Sequence, residues 1–181
     1  MWKSNLLIAI ASVTVVTVTG VIYVASSHND PNHTNRSETE VLGSVWDRET
    51  ESYSGNMNMT VYRSPSCGCC GVWIEHAKHH GFQITDITTD DMEAVKREHN
   101  IPRDLASCHT TIIDGYVMEG HIPVDDIKRF LKQTPNVVGL TVPGMPLGTP
   151  GMEAGDRKQP FDILAFDRNG QVQVFKHYEN Y

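Results

Sequence analysis

The sequence predicts an α/β fold: a βαβαββα core, then a loop rich in Pro, Gly and Met, then a C-terminal β-hairpin. Three observations carry that expectation. Apolar residues recur at helical spacing in two stretches, Cys70, Trp73, Ile74, Ala77 and Val124, Ile127, Leu131. Runs of strand-forming residues stand before, between and after them. Asp114-Gly115, flanked by two such runs, is the two-residue signal of a tight hairpin.

The elements follow in order. Residues 59–65, MTVYRSP, form a short strand that Ser64-Pro65-Ser66 ends. The first helix begins beyond Cys67 and stops at Gly81. FQITDITT, 82–89, is a second strand. DDMEAVKREHN, 90–100, is a second helix, with Asp90 as its cap, Glu93 three residues on, and Asn100 and Pro102 at its end. HTTIIDGYVMEGHIP, 109–123, is the hairpin, and a proline opens the helix PVDDIKRFLKQ. VVGLTVPGMPLGTPGMEAG, 137–155, reads as a loop, and FDILAFDRNGQVQVFKHY as a hairpin around Asn169-Gly170. A βαβ start, a hairpin and a final helix make the thioredoxin plan, so the expected class is a thioredoxin-like domain over residues 56–181. That plan carries a reactive CxxC in its first βα turn, and Cys67-Gly68-Cys69-Cys70 has that spacing with a cysteine inside it. The loop before the third strand, where thioredoxins keep a cis-proline, holds Cys108 and His109. The plan therefore brings all four cysteines to one end of the sheet, although Cys108 stands 38 positions after Cys70.

Ahead of the domain, residues 6–25 carry no charge and follow a single Lys3. About 20 apolar or small residues suffice to cross a bilayer. Residues 1–27 are read as a signal-anchor, or as a signal peptide cleaved near 25–27, and the rest of the chain as exported. The expected location is the periplasm, with a tether to the inner membrane. Residues 28–55 are polar and aperiodic and read as a linker, with His28 and His33 as solvated residues within it. Hydrophobic residues make up 39% of the 181-residue chain and charged ones 20%, which fits a globular domain. The net charge of −7, with no basic stripe, excludes a nucleic-acid partner.

Four cysteines in an exported chain first suggest structural disulfides. Three of them within four positions do not, because structural bridges close longer loops. The crowding fits a reactive or metal site. Cys67 and Cys70 are the redox candidates, and Cys69 and Cys108 join them as ligands. His109 and His121 are candidates through their places at the start and the return of the first hairpin, and Met145 and Met152 through the loop. Met57, Met59 and Met118 read as core, as does Trp73. His76, His79 and His80 lie along the first helix, with at least two expected to face solvent, and His99 and His177 read as surface residues. Thiolate, thioether and imidazole together favour Cu(I) over zinc or iron–sulfur, since zinc sites rarely enlist methionine. Thiolates so close together can also bridge several copper ions.

The stretches YRSPSCGCCGVW, SCHTTIIDGYVMEGHIP and PGMPLGTPGME together resemble the CopG type, small exported metal-binding proteins associated with copper resistance. The resemblance spans residues 57–180. It implies a thioredoxin-like fold, a periplasmic location, copper held by Cys67, Cys69, Cys70 and Cys108, and a copper redox role. His109, His121, Met145 and Met152 match motif positions of the family. The long N-terminal segment departs from it. The sequence thus supports a copper-binding protein that cycles copper between redox states and works with other copper-handling proteins. Two rivals are a thiol–disulfide oxidoreductase, with Cys67 as nucleophile and Cys70 as resolving thiol, and a structural zinc module.

Overall fold

A computed structural model describes residues 43–181. The segment 6–25, the cleavage region and His28 and His33 lie outside the described residues. Among the described residues no helix is long and apolar enough to cross a membrane.

The chain runs β1 (Asn58–Arg63), α1 (Gly68–His79), β2 (Gln83–Thr88), α2 (Met92–Glu98), β3 (His109–Ile113), β4 (Tyr116–Glu119), α3 (Val124–Gln133), β5 (Gly139–Thr141), β6 (Phe161–Phe166) and β7 (Val172–Tyr178). The seven strands form one mixed sheet in the order β2-β1-β3-β4-β5-β6-β7. Strand alternation gives the sheet two buried faces. Ile113, Met118, Phe161 and Ile163 join Trp73, Ile74 and Ala77 of α1 and Val124, Ile127, Phe130 and Leu131 of α3 in the main core. Their strand neighbours Ile112, Val117, Leu164 and Phe166 pack on the other face with Ile101 and Leu105.

Most expected elements form within two residues of their expected ends, and the exceptions have physical causes. The cap of α2 is Asp91, whose Oδ1 accepts the Ala94 N–H, not Asp90. The expected loop 137–155 contains β5, a three-residue strand wholly buried between β4 and β6. Its Gly139 is required by close approach, since a Cβ there would sit 1.8 Å from the Val117 carbonyl oxygen. Through β5 the C-terminal hairpin continues the sheet instead of standing apart. The polar segment expected to be a linker to residue 55 is packed structure from about Gly43: a 3-10 turn at Val45–Asp47 buries Trp46 among Phe161, Tyr178 and Tyr181. This strap also corrects the expectation for the α1 histidines. Only His79 is exposed; His76 and His80 are buried, and His80 donates from Nε2 to the Trp46 carbonyl at 2.7 Å. His99 is half-buried beside the Tyr62 ring, and His177 is exposed.

Candidate metal centre

Strand register assembles the site. Arg63 at the end of β1 pairs with His109 at the start of β3. The turn leaving β1, which carries Cys67, therefore lies beside the segment entering β3, which carries Cys108. Thr110 pairs with Glu119, and the Gly120 N–H reaches the His109 carbonyl at 2.9 Å, so the chain leaving β4 brings His121 to the same place. Glu119 in turn pairs with Thr141 of β5, and beyond it Gly144 bridges to Ser107. Four chain segments thus end at one edge of the sheet.

Cys67 is the N-cap of α1, and Cys69 and Cys70 lie in its first turn. Cys67 and Cys70 form a disulfide, with Cα atoms 5.4 Å apart. Cys69 and Cys108 are free, half-buried thiols, and Cys69 Sγ lies 3.5 Å from Cys67 Sγ. The four sulfurs lie within 4.8 Å of one another, and a second group within the same span joins Cys70 and Cys108 to His109 and His121. Cys70 and Cys108 belong to both groups.

The imidazoles are prepared for ligation. His121 Nδ1 is 2.7 Å from the Pro150 carbonyl, which can only accept, so Nδ1 carries the hydrogen. Its Nε2 lone pair then faces Cys108 Sγ at 3.0 Å. Such an outer-shell carbonyl on the remote nitrogen is the usual support of a metal-binding histidine. His109 is fully buried with its ring 4.6 Å from that of Trp73; its Nδ1 lies 3.5 Å from Cys108 Sγ and its Nε2 has no partner. Burial, then the neighbouring His121, holds His109 well below the ordinary imidazole range, and burial lowers His121 as well, so both rings are neutral near neutral pH. Burial, then the nearby Cys69, pushes the Cys108 thiol up to about 12. In the metal-free protein Cys108 is thus a thiol that donates to His121. A soft metal ion that displaced this proton would meet thiolate sulfur and neutral imidazole nitrogen, donors that such ions accept.

The loop after β5 closes over this edge. Gly151 adopts φ +80°, and a Cβ there would meet Trp73 N at 2.8 Å and Cys69 O at 2.9 Å, so the loop backbone rests directly on the first turns of α1. Met145 follows the Gly144 bridge and is exposed; Met152 follows Gly151 and is half-buried. Met59 and Met118 are buried in the main core, and Met57 packs against it.

One supporting group escaped the sequence reading. Glu119, fully buried on the opposite face of the sheet from His109, accepts from Ser107 N at 2.6 Å and Thr110 Oγ1 at 2.6 Å, and pairs with Lys96. It grips the chain on both sides of Cys108 and His109. Its place at the end of a short strand reads as solvent-facing, and only the pairing with a buried Lys on α2 reveals the role.

A seven-stranded α/β domain whose strand ends gather four cysteines and two histidines defines a class of small protein with a sulfur–imidazole centre able to hold a metal ion. Two solved structures of copper resistance protein CopG, forms 1 and 2, superpose on this chain with a TM-score of 0.66 each and are 42% identical to it. They align with 70% and 69% of this chain and 100% of their own length. The chain belongs to this CopG family. Residues 105–152 also match a family described as a protein of unknown function, DUF411, and no curated protein matches.

Proposed function

We propose that this protein is an exported copper-binding protein of copper resistance or homeostasis, taking up Cu(I) through Cys67, Cys69, Cys70 and Cys108, with His109 and His121 completing the shell and Met145 and Met152 at its rim. The observation that carries the reading is the convergence of four sulfurs from two segments far apart in sequence, beside a His121 lone pair already turned toward them. The solved relatives are copper resistance proteins, which supports copper as the cargo. Sulfurs this close can bridge, so the site has room for more than one ion as well as for one. We read the fold as thioredoxin-like, with residues 6–25 delivering the domain to the periplasmic side of the inner membrane, where other copper-handling proteins exchange metal with it.

The Cys67–Cys70 disulfide is the oxidised state of the site. An external dithiol reductant, itself oxidised to a disulfide, supplies the two electrons and two protons that convert it to the dithiol that binds copper. In the reverse direction the dithiol gives one electron to each of two Cu(II) ions, forming the disulfide, two Cu(I) and two protons. A second reading, thiol–disulfide exchange with other proteins, is favoured by the same disulfide at a helix N-terminus. Cys108 and His109 argue against it, because they occupy the loop that meets substrate peptide in such enzymes.

The test is anaerobic loading of the reduced protein with Cu(I), with copper per protein from elemental analysis and X-ray absorption on the same sample. Several coppers with short copper–sulfur and copper–copper distances are expected. No retained copper, together with robust insulin reduction, would put the oxidoreductase first. Retention of zinc against Cu(I) would put the zinc module first.

A further inference from the structure

The strap at residues 43–50 makes hydrogen bonds that the metal centre does not explain. Trp46 is held at both ends. Its carbonyl accepts from His80 Nε2 at the C-cap of α1, and its indole N–H donates to the Gly148 carbonyl of the covering loop, each at 2.7 Å and each buried. Ser44 Oγ adds a second link to that loop, donating to Glu153 at 2.7 Å. Thr50 donates from its backbone N–H to Asp125 on α3 at 2.7 Å, so the strap is also fixed to the helix that follows His121. The two ends of Trp46 therefore join α1, which carries Cys69 and Cys70 and is capped by Cys67, to the loop that carries Pro150. Pro150 lies two residues beyond Gly148, and its carbonyl fixes the hydrogen of His121 on Nδ1.

We infer that Trp46 is a positioning residue for the metal centre: through Gly148 and Pro150 it holds His121 with Nε2 aimed at Cys108. The links form one path, from His80 on α1 through Trp46 and the covering loop to His121, which closes back on Cys108 at 3.0 Å. A lost indole N–H leaves the Gly148 carbonyl buried without its donor, a larger loss than the hydrogen bond itself. The loop then opens more often, the Pro150 carbonyl leaves Nδ1, and His121 samples the tautomer whose Nε2 carries hydrogen and cannot ligate. The strap thereby controls how long the site keeps its cargo. This last consequence rests on the copper reading above; the control of His121 does not.

The test uses the full chain with Trp46→Phe, and alongside it a chain carrying β-(3-benzothienyl)alanine at position 46, which replaces the indole N–H by sulfur and keeps the ring shape if the phenylalanine variant folds poorly. In the metal-free proteins, solvent exchange of the His121 Nδ1 hydrogen is followed by nitrogen-correlated NMR. In anaerobically loaded proteins, release of Cu(I) to an excess of a chromophoric chelator is timed. The expected result is exchange and release each faster by about tenfold, with copper per protein unchanged; tenfold corresponds to about 1.4 kcal/mol. A lower melting temperature with exchange and release both unchanged would overturn the inference and leave Trp46 as packing alone. Faster exchange in a protein that retains no copper, wild type included, would uphold the control of His121 and remove the copper reading instead.

Discussion

Acidification destabilises this fold through His76. The ring is buried on α1, Nε2 accepts from Val124 N at 3.3 Å, and Nδ1 has no partner. Burial, then the neighbouring His80, lowers its pKa from 6.5 to about 3, while Asp125 opposes and His79 and Lys128 add to the lowering. The unfolded chain therefore takes up a proton on this residue well before the folded one does. Stability from His76 is fully present above the ordinary imidazole pKa and is lost as pH falls toward the folded value. Each pH unit in that window is worth about 1.4 kcal/mol, so falling from the ordinary value to about pH 5 removes about 2 kcal/mol. His109 and His121 are lowered too and act in the same direction. Urea unfolding of the metal-free protein at about pH 7 and about pH 5, wild type against His76→Leu, isolates the share of His76. The variant loses the Val124 contact equally at both pH values, so only the pH-dependent difference counts. The variant should keep about 2 kcal/mol more of its stability on acidification. Equal losses in the two proteins would refute the account.

Cys108→Ser should lower the copper bound per protein, measured by elemental analysis after anaerobic loading, although Cys108 is remote in sequence from the other cysteines. Gly151→Ala should cost about 1–3 kcal/mol in urea unfolding, because the φ of +80° and the contact with Cys69 O and Trp73 N both exclude a Cβ. Lys96→Met should cost about 3–5 kcal/mol by leaving Glu119 charged and unpaired inside the protein. Lys96→Met with Glu119→Gln should cost clearly less, which chemical denaturation of the two variants will compare.

Much of this architecture was legible because its helices are amphipathic and its first hairpin has an unambiguous turn. Cys70, Trp73, Ile74 and Ala77, picked out by spacing, are all buried, as are Val124, Ile127 and Leu131. Asp114 and Gly115 take positive φ values of 50° and 80°, as a tight hairpin requires. What stayed hidden depends on tertiary partners. Three residues of β5 are too few to show a period, and their glycine reads as loop until Val117 is placed against it. The strap has one buried apolar side chain, Trp46, in a polar surround, so its docking was invisible, and with it the burial of His76 and His80. The candidate site was readable as residue types gathered by topology. The Pro150 carbonyl and the Glu119–Lys96 pair were not, because a backbone acceptor has no letter in the sequence and a buried ion pair looks like two surface charges.

The pairing of Arg63 with His109, and of Thr110 with Glu119, has a consequence for how the protein matures. A slip of one residue in β3 would turn His109 to the other face and carry Cys108 away from the turn after β1. A slip in this pairing therefore breaks up the complete set of sulfurs and imidazoles. A metal ion that bound the complete set more tightly than the local Cys67–Cys70 segment alone would stabilise the correctly paired sheet relative to a slipped one. On the proposed function, cargo would thus favour the finished strand pairing over a slipped one.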